Sequence, residues 1–462
     1  MTEQQLQELG PALSAFLGRF LFCCGYTQTF AHMGTYVHGL LSELPRKSVE
    51  PIALQAGTPV RTLQELLKDH AWDYRAVGDS LQRHTADVPG RQPADGLGTV
   101  GIVDETSVVK CGELTPGVHR QYLGCVGKVD NGIVTVHLGV ARGRFKSLID
   151  AELYLPDGWA ADRPRCRACG IPDGVTYRPK WRIALEQLDR ALANGLKLDW
   201  LTFDEGYGQR PAFLAGLDER GQLFVGAVPP TASCLAVNRA GRRPEGGLKG
   251  RPAREVVRTS GAFTDRPWRV LRLARQTLAE QAWRVKAARV WLSGQGGWSA
   301  GCYWLIWASS DHSGEEKFFL SNAPADADVA LLVGVAFRRF HVEHGFRVAK
   351  GELGFGHFEG RNDVALQRHL SLCLVAMGLV AGHTELRRRE KPGADAGAAV
   401  PGAARTEPPM AARAAADERA GLRLAHHRVS PGAQPRRPRG QAKEAGRRAA
   451  AQEAPAAQTK TT

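Results

Sequence analysis

The run TVGIVD at residues 99–104 decides the fold. It is an almost continuous apolar stretch ending in a carboxylate, which predicts a strand buried on both faces with a functional group at its C-terminal edge. A turn-rich segment, GRQPADGLG at 90–98, precedes it, and further strands are predicted from Gln121 to Val126 and from Ile133 to Ala141. KWRIALEQLDRALAN, Lys180 to Asn194, is amphipathic at helical spacing and closes on Gly195 as a C-cap. LDWLTFD, 198–204, is then a second apolar strand ending in aspartate. Two strands of one sheet would thereby bring Asp104 and Asp204 to the same edge.

Working outward, residues 1–90 carry apolar positions at helical spacing (Leu63, Leu66, Leu67, Trp72), which predicts a small helical N-terminal domain. Inside it, Val49 to Ala56, the turn Gly57-Thr58-Pro59 and Val60 to Asp69 have the outline of a helix-turn-helix, with Thr58 as N-cap and Pro59 in the first turn. Plain bundle packing has the same outline, so DNA reading is one of two expectations for this unit. The core's first part spans 99–221. From 222 to 321, short β segments alternate with Gly- and Arg-rich stretches, which predicts an inserted, mostly β subdomain. Residues 322–384 hold the C-terminal helices, one predicted from Asp326 to Gly351 and an apolar one from Asp363 to His383. The tail, 385–462, is Ala-, Arg- and Pro-rich with few large apolar residues and is expected to be disordered.

A chain of 462 residues with 43% hydrophobic and 23% charged residues is neither a miniprotein nor wholly disordered. Lys plus Arg (61) exceed Asp plus Glu (47) by 14, which favours a polyanionic partner. More than half of that excess sits in the tail, where 16 basic residues face 8 acidic ones. The opening MTEQQLQELG is polar, and the first apolar run, Ala15 to Cys24, is broken by Gly18 and Arg19, so no signal peptide is expected. The apolar run Leu370 to Ala381 falls short of the ~20 residues of a bilayer span. Nine scattered cysteines predict free thiols in a reducing cytoplasm rather than a disulfide framework.

Chemistry concentrates in the predicted long helix. Arg339, Glu343 and Lys350 are spaced +4 and +7, which at ~100° per residue groups them within about 60° on one face. Glu352 falls about 180° away from Glu343, and Glu359 follows Gly354 and Gly356 in a predicted loop. A solvated charged face is the bland alternative for the helix. Cys166 and Cys169 form a single CxxC, and structural zinc needs a second pair, which is missing. Trp291, Trp298, Trp304 and Trp307 cluster in the insertion; core packing accounts for most of them, and Trp298, between Gly297 and Ser299, is the candidate for stacking on an unpaired base. The Gly- and Arg-rich stretch Asn238 to Arg254 could line DNA or form a solvated loop.

Asp104 in GIVDETSVVKCG, Asp204 in LTFDEGYG and the run FHVEHGFRVAKGELGFGHFEGR at 340–361 resemble the DDE transposases of bacterial insertion sequences, specifically the insertion-sequence-701-type group. VHRQYLGCVGKVDNG, SLIDAELYLPDGW and RCRACGIP agree as well, so the resemblance covers roughly residues 15–383. It implies an α/β fold with an RNase H-like catalytic core carrying the β-rich insertion between the second Asp and the last Glu. It implies metal-dependent cleavage at insertion-sequence ends and strand transfer into target DNA. Catalysis and metal binding fall to Asp104, Asp204 and Glu343, with two Mg²⁺ as cofactor and Mn²⁺ as a substitute. Arg339, Lys350 and Trp298 are the implied DNA contacts. The implied partners are transposon terminal inverted repeats, target DNA and a second copy on paired ends, at the bacterial nucleoid in the cytoplasm, with no membrane and no small-molecule substrate. The wider clan carries a Tyr, Arg, Glu, Lys signature; here Ala336 occupies the Tyr position and the neighbouring Phe337 has no hydroxyl. A nuclease of the same fold without strand transfer and a DNA-binding copy without activity are the competing functional readings.

Overall fold

The computed structural model describes residues 3–90, 96–238, 241–244, 248–275, 278–294 and 297–389. The expected disorder of the tail lies, from residue 390 on, outside the described residues. All described residues fall within one compact unit, Met1–Gly393, and the changes of character expected near 90 and 222 are changes of secondary structure inside it.

A five-stranded sheet positions the site. It comprises β1 (Val100–Val109), β2 (His119–Leu123), β3 (Lys128–Arg142), β4 (Phe145–Leu153) and β5 (Trp200–Thr202) in the order β2-β3-β1-β5, with β4 also paired to β3. β3 is central because GIVTVHLGVA is rich in β-branched residues, and every residue from Gly132 to Ala141 is buried. It runs antiparallel to the whole of β1, from Val100↔Ala141 to Val109↔Gly132. β5 lies parallel to β1 but accompanies only Val100 to Ile102. Asp104 therefore does not end its strand, as the apolar run had suggested; it faces His137 in mid-strand, two residues beyond the parallel pairing. Asp204 likewise lies two residues past β5, where it is the N-cap of the short helix Glu205–Gly208.

Strand alternation sends Val100 and Ile102 into one apolar cluster, shared with Val342, Phe346 and Leu370. Val103 and Leu138 enter another, shared with Ile183, Leu188 and Phe203. The expected amphipathic helix forms over Lys180–Ala193, with Gly195 at φ +86 just beyond its end, and packs on the second side.

On the first side lie the C-terminal helices. The single helix expected from Asp326 to Gly351 is instead two, Val329–Phe337 and Phe340–Glu352. Arg338, Arg339 and Val342 donate to carbonyls three residues back, so the ladder tightens between them. The last helix, Asp363–Arg389, runs beyond His383 and packs against β4 and the helices Thr27–Leu41, Val60–Lys68 and Tyr74–Gly90. Over Asp363–Thr384 it is long and apolar enough to cross a membrane, but 78% of that window is buried inside the protein, and this central position accounts for its apolarity.

The N-terminal segment holds Glu3–Leu17, Thr27–Leu41, Val49–Gln55, Val60–Lys68 and Tyr74–Gly90. Leu63, Leu66 and Leu67 are fully buried, as their spacing predicted. Pro59 rather than Thr58 is the N-cap of Val60–Lys68, and no side chain caps it; the Thr58 N–H instead donates to the Ala53 carbonyl, with Gly57 turning the chain at φ +62. The far end of that helix is closed by Arg368 of the last helix, which donates to the carbonyls of Leu66, Leu67, His70 and Trp72 and lies 4.7 Å over the Trp72 ring.

A second, antiparallel sheet comprises β6 (Val225–Val228), β7 (Ser233–Ala236), β8 (Arg251–Pro252), β9 (Arg269–Arg275), β10 (Leu278–Gly294), β11 (Gly297–Trp298), β12 (Tyr303–Ser310) and β13 (Glu316–Ser321). It joins the first through a parallel bridge between Leu201 and Phe224. Gly226 is required there, because a Cβ would come within 1.9 Å of the Phe203 ring.

His369 sits at the centre of the helical layer, fully buried. Its Nδ1 lies 2.9 Å from the Tyr36 hydroxyl and its Nε2 lies 3.2 Å from the Gly354 carbonyl. The neutral ring satisfies both, Nε2 donating to the carbonyl and Nδ1 accepting from the hydroxyl, and burial depresses its pKa to about 4. Between that value and the ordinary 6.5 the unfolded chain binds the extra proton. Stability should therefore fall as pH drops through this window, by on the order of 3 kcal/mol from this group. Chemical denaturation of wild type and His369→Gln from pH 7 to 4 measures it; an acid loss of the same size in both would exclude His369 as its source.

Candidate active site

Asp104 is the most buried of the expected site residues, with a side chain 11% exposed. Its Oδ1 accepts from the Glu105 N–H at 2.8 Å and its Oδ2 from Arg339 Nη1 at 2.9 Å. Burial raises its pKa to about 7; Arg339 opposes the rise and the Asp204 carboxylate adds to it. The same guanidinium reaches Glu343 through Nη2 at 3.2 Å, so Arg339 bridges the β1 carboxylate and the helical one. Glu343 itself is half exposed. Asp204 accepts from the Tyr207 N–H at 3.3 Å. Glu105 and Asp104 point to opposite faces, as alternation requires, and Glu105 pairs with Lys180 at 2.8 Å on the far side.

Asp104 and Glu343 thus meet on one guanidinium, with Asp204 within electrostatic reach of Asp104. Lys350 extends the same face and donates from Nζ to the Ser107 carbonyl at 3.1 Å, three residues further along β1. Glu352 is exposed and separate, and Glu359 pairs with Arg46. Trp298 is half-buried on β11, and its carbonyl accepts from Arg243. Trp291 and Trp304 are buried, as core packing predicts. Cys166 and Cys169 are buried with their Sγ atoms on the carbonyls of Trp159 and Leu114.

Several neighbours carried no signal in the sequence. His137, directly across from Asp104, is fully buried against Phe346 and Phe355 with Nε2 2.7 Å from the Thr135 hydroxyl, and burial drives its pKa down to about 3. Only the β1–β3 register reveals it. Tyr207 is buried with its hydroxyl unpartnered, close enough to Asp104, Asp204 and Glu105 for their charge to add to the rise that burial gives its pKa. Lys47 is buried between two helix ends, its Nζ donating to the Leu40 carbonyl at 2.8 Å and to the Glu352 carbonyl, so one ammonium caps both Thr27–Leu41 and Phe340–Glu352.

Carboxylate oxygens suit a hard divalent cation. Asp104 also calls for one, being buried, repelled by Asp204 and held by a single guanidinium. With Arg339 between Asp104 and Glu343, however, no group of three His, Cys, Asp or Glu side chains among the described residues stands ready to hold a metal ion. The expected convergence is therefore partial.

A family profile described as DDE superfamily endonuclease matches residues 19–293, more than half of the chain, including Asp104 and Asp204 but stopping short of Glu343. A probable transposase for insertion sequence element IS701 from Microchaete diplosiphon is 32% identical over 197 residues, which are 42% of this chain and 47% of that protein. This chain thus matches about half the length of that relative. Among solved structures, the NurA nuclease from Sulfolobus solfataricus covers 55% of this chain and 81% of its own at 8% identity, with a TM-score of 0.23, too low to bear on the fold.

The two arms of Arg339 should differ in strength. A double-mutant cycle on Arg339→Met and Asp104→Asn is expected to give a coupling of about 1.5–3 kcal/mol, as for a hydrogen bond to a buried charge. The cycle with Glu343→Gln should give less than about 1 kcal/mol, because Glu343 is solvated. Equal couplings from urea denaturation would contradict this geometry.

Proposed function

We propose that this chain, which belongs to the DDE superfamily endonucleases, is an insertion-sequence transposase that cuts DNA at the element's ends and joins the freed 3′-hydroxyl to target DNA. The observation that carries the reading is the single guanidinium shared by a sheet carboxylate and a helical carboxylate, with a second aspartate acting on the first. Asp104, Asp204 and Glu343 are the proposed catalytic set and the proposed holders of divalent cations, two Mg²⁺ with Mn²⁺ as a substitute. Such ions activate the attacking oxygen and stabilise the leaving one.

The chain's own residues supply the rest. Arg339 neutralises the carboxylates in the absence of DNA, and its planar fork suits a phosphate equally well. Lys350 spends one of its three donors on Ser107 and retains two for a phosphate of the cut strand. Partners in this reading are terminal inverted repeats, target DNA and a second copy of the chain, at the bacterial nucleoid. An RNase H-like core is the corresponding fold proposal. Its support is the strand order, in which antiparallel β4, β3 and β1 are followed by parallel β5, and Phe224 bridges parallel to β5 in turn.

Strand transfer from a pre-cut end is the assay that separates a transposase from a nuclease of the same family, which would hydrolyse DNA without joining it. Glu343→Gln, Asp104→Asn and Asp204→Asn should each abolish end cleavage in Mg²⁺ while DNA binding persists. Glu352→Gln, on the other side of the helix, should cut normally. Cleavage by Glu343→Gln close to the wild-type rate, or a folded but dead Glu352→Gln, would overturn the assignment on this helix.

A further inference from the structure

Arg339 occupies the place where a cation shared by the sheet and the helix would act. Its Nη1 lies 2.9 Å from Asp104 Oδ2 and its Nη2 lies 3.2 Å from Glu343 Oε1, so one planar group spans the gap between the two carboxylates. The Glu105 N–H takes the other oxygen of Asp104. Mg²⁺ needs carboxylate oxygens at ~2.0–2.1 Å in a near-octahedral shell, and a guanidinium bonded to those oxygens excludes it by volume and by charge. Among the described residues no three of His, Cys, Asp and Glu stand ready as ligands, and Arg339 is the group that lies between two of the proposed ones.

The contact can be released without rebuilding the helix. Arg339 is the N-cap residue of Phe340–Glu352, and its side chain is 23% exposed, so the guanidinium can turn outward while the helical hydrogen bonds stay in place. The helix keeps its seat on other contacts, with Val342, Phe346 and Ala349 buried and Lys350 on the Ser107 carbonyl. The Phe340 ring, 5.6 Å from the guanidinium carbon, offers the released cation an aromatic face. The two arms are unequal, because Glu343 is half exposed and Asp104 is buried, so release is decided at Asp104. Taking the guanidinium away leaves there a buried carboxylate that Asp204 repels, which calls for another cation.

We propose that Arg339 is an autoinhibitory counter-ion, which competes with divalent cation for Asp104 and Glu343 and yields them when a DNA phosphate engages its fork, so that cation and DNA bind this site cooperatively. The guanidinium accepts a phosphate in the same bidentate manner as a carboxylate, so the exchange leaves its own charge matched. The chain without DNA then holds divalent cation weakly and is not loaded for hydrolysis ahead of its substrate. Linkage makes the effect reciprocal, each ligand tightening the other by one factor. The inference rests on the metal-dependent DNA-cutting reading above and adds to it that the resting site is closed to cation by one of its own residues.

Binding of Mn²⁺ to the full chain, followed by loss of the free-ion electron paramagnetic resonance signal, tests the proposal without any readout of activity. In the absence of DNA, Arg339→Met should bind Mn²⁺ about 5- to 150-fold tighter than wild type, the usual range of coupling between two sites. Adding Asp104→Asn to that variant should abolish the gain. Thermal melting verifies that Arg339→Met folds, and Mn²⁺ should raise its melting temperature more than that of wild type. A second measurement needs only the wild-type chain. A DNA duplex at low salt, where phosphate contacts dominate, should tighten its Mn²⁺ binding by a similar factor over the background set by Asp104→Asn with the same duplex. A folded Arg339→Met that binds Mn²⁺ no tighter than wild type, or wild type that binds it equally with and without DNA, overturns the role of Arg339 and leaves the carboxylates as cation holders. A chain that takes up no Mn²⁺ in any of these forms overturns the cation reading itself, which keeps the two failures apart.

Discussion

Burying a carboxylate in the middle of a sheet costs several kcal/mol unless a cation meets it. Asp104 is met by Arg339, and much of the surrounding arrangement follows from that encounter. The guanidinium must reach β1 from the N-cap of Phe340–Glu352, which fixes how that helix lies over the sheet and places Glu343 on the adjacent nitrogen. Apolar contacts hold the helix in that attitude, with Val342 and Phe346 buried in the same cluster as Val100 and Ile102. The charged contact sets the alignment and the apolar ones supply the adhesion, since a single ion pair rarely does both.

The opposite face of the sheet follows a different logic. Glu105 and Lys180 satisfy each other where Lys180–Ala193 begins, and behind them Arg178 and Arg190 pair with Asp150 and Glu152 of β4. These groups are saturated by protein partners and serve packing. Asp104 has one guanidinium and a neighbouring aspartate instead, and burial lifts its pKa to about 7 with Asp204 adding to the rise.

What could be read from the sequence divides along the same physical line. Leu63, Leu66 and Leu67, the helix from Lys180 and the buried run of β3 were legible because burial imposes a local period. The end of β1 was not, because β3 hydrogen-bonds it five residues past Asp104, and nothing in TVGIVD encodes its partner's length. The break at Arg338 and Arg339 was hidden for a similar reason, since arginine favours helix and the tight turn has no Pro or Gly to announce it. Within the site, the +4 spacing of Arg339 and Glu343 was visible, whereas the hold of Arg339 on Asp104 depends on a tertiary approach. His137 and Tyr207 become neighbours of the carboxylates only through register and a loop.

The ammonium of Lys47 ends two helices at once, one in the N-terminal segment and the other bearing Glu343. Neither terminus can be rebuilt alone, because displacing the lysine strips the last carbonyls of both. Recombination that grafted a new N-terminal segment onto the part bearing Asp104 and Glu343 would have to bring a lysine to the same point or leave the Glu343 helix frayed. The two helix ends thus share one ammonium, and exchanging the N-terminal helices would disturb the Glu343 helix through a buried residue that touches none of the three carboxylates.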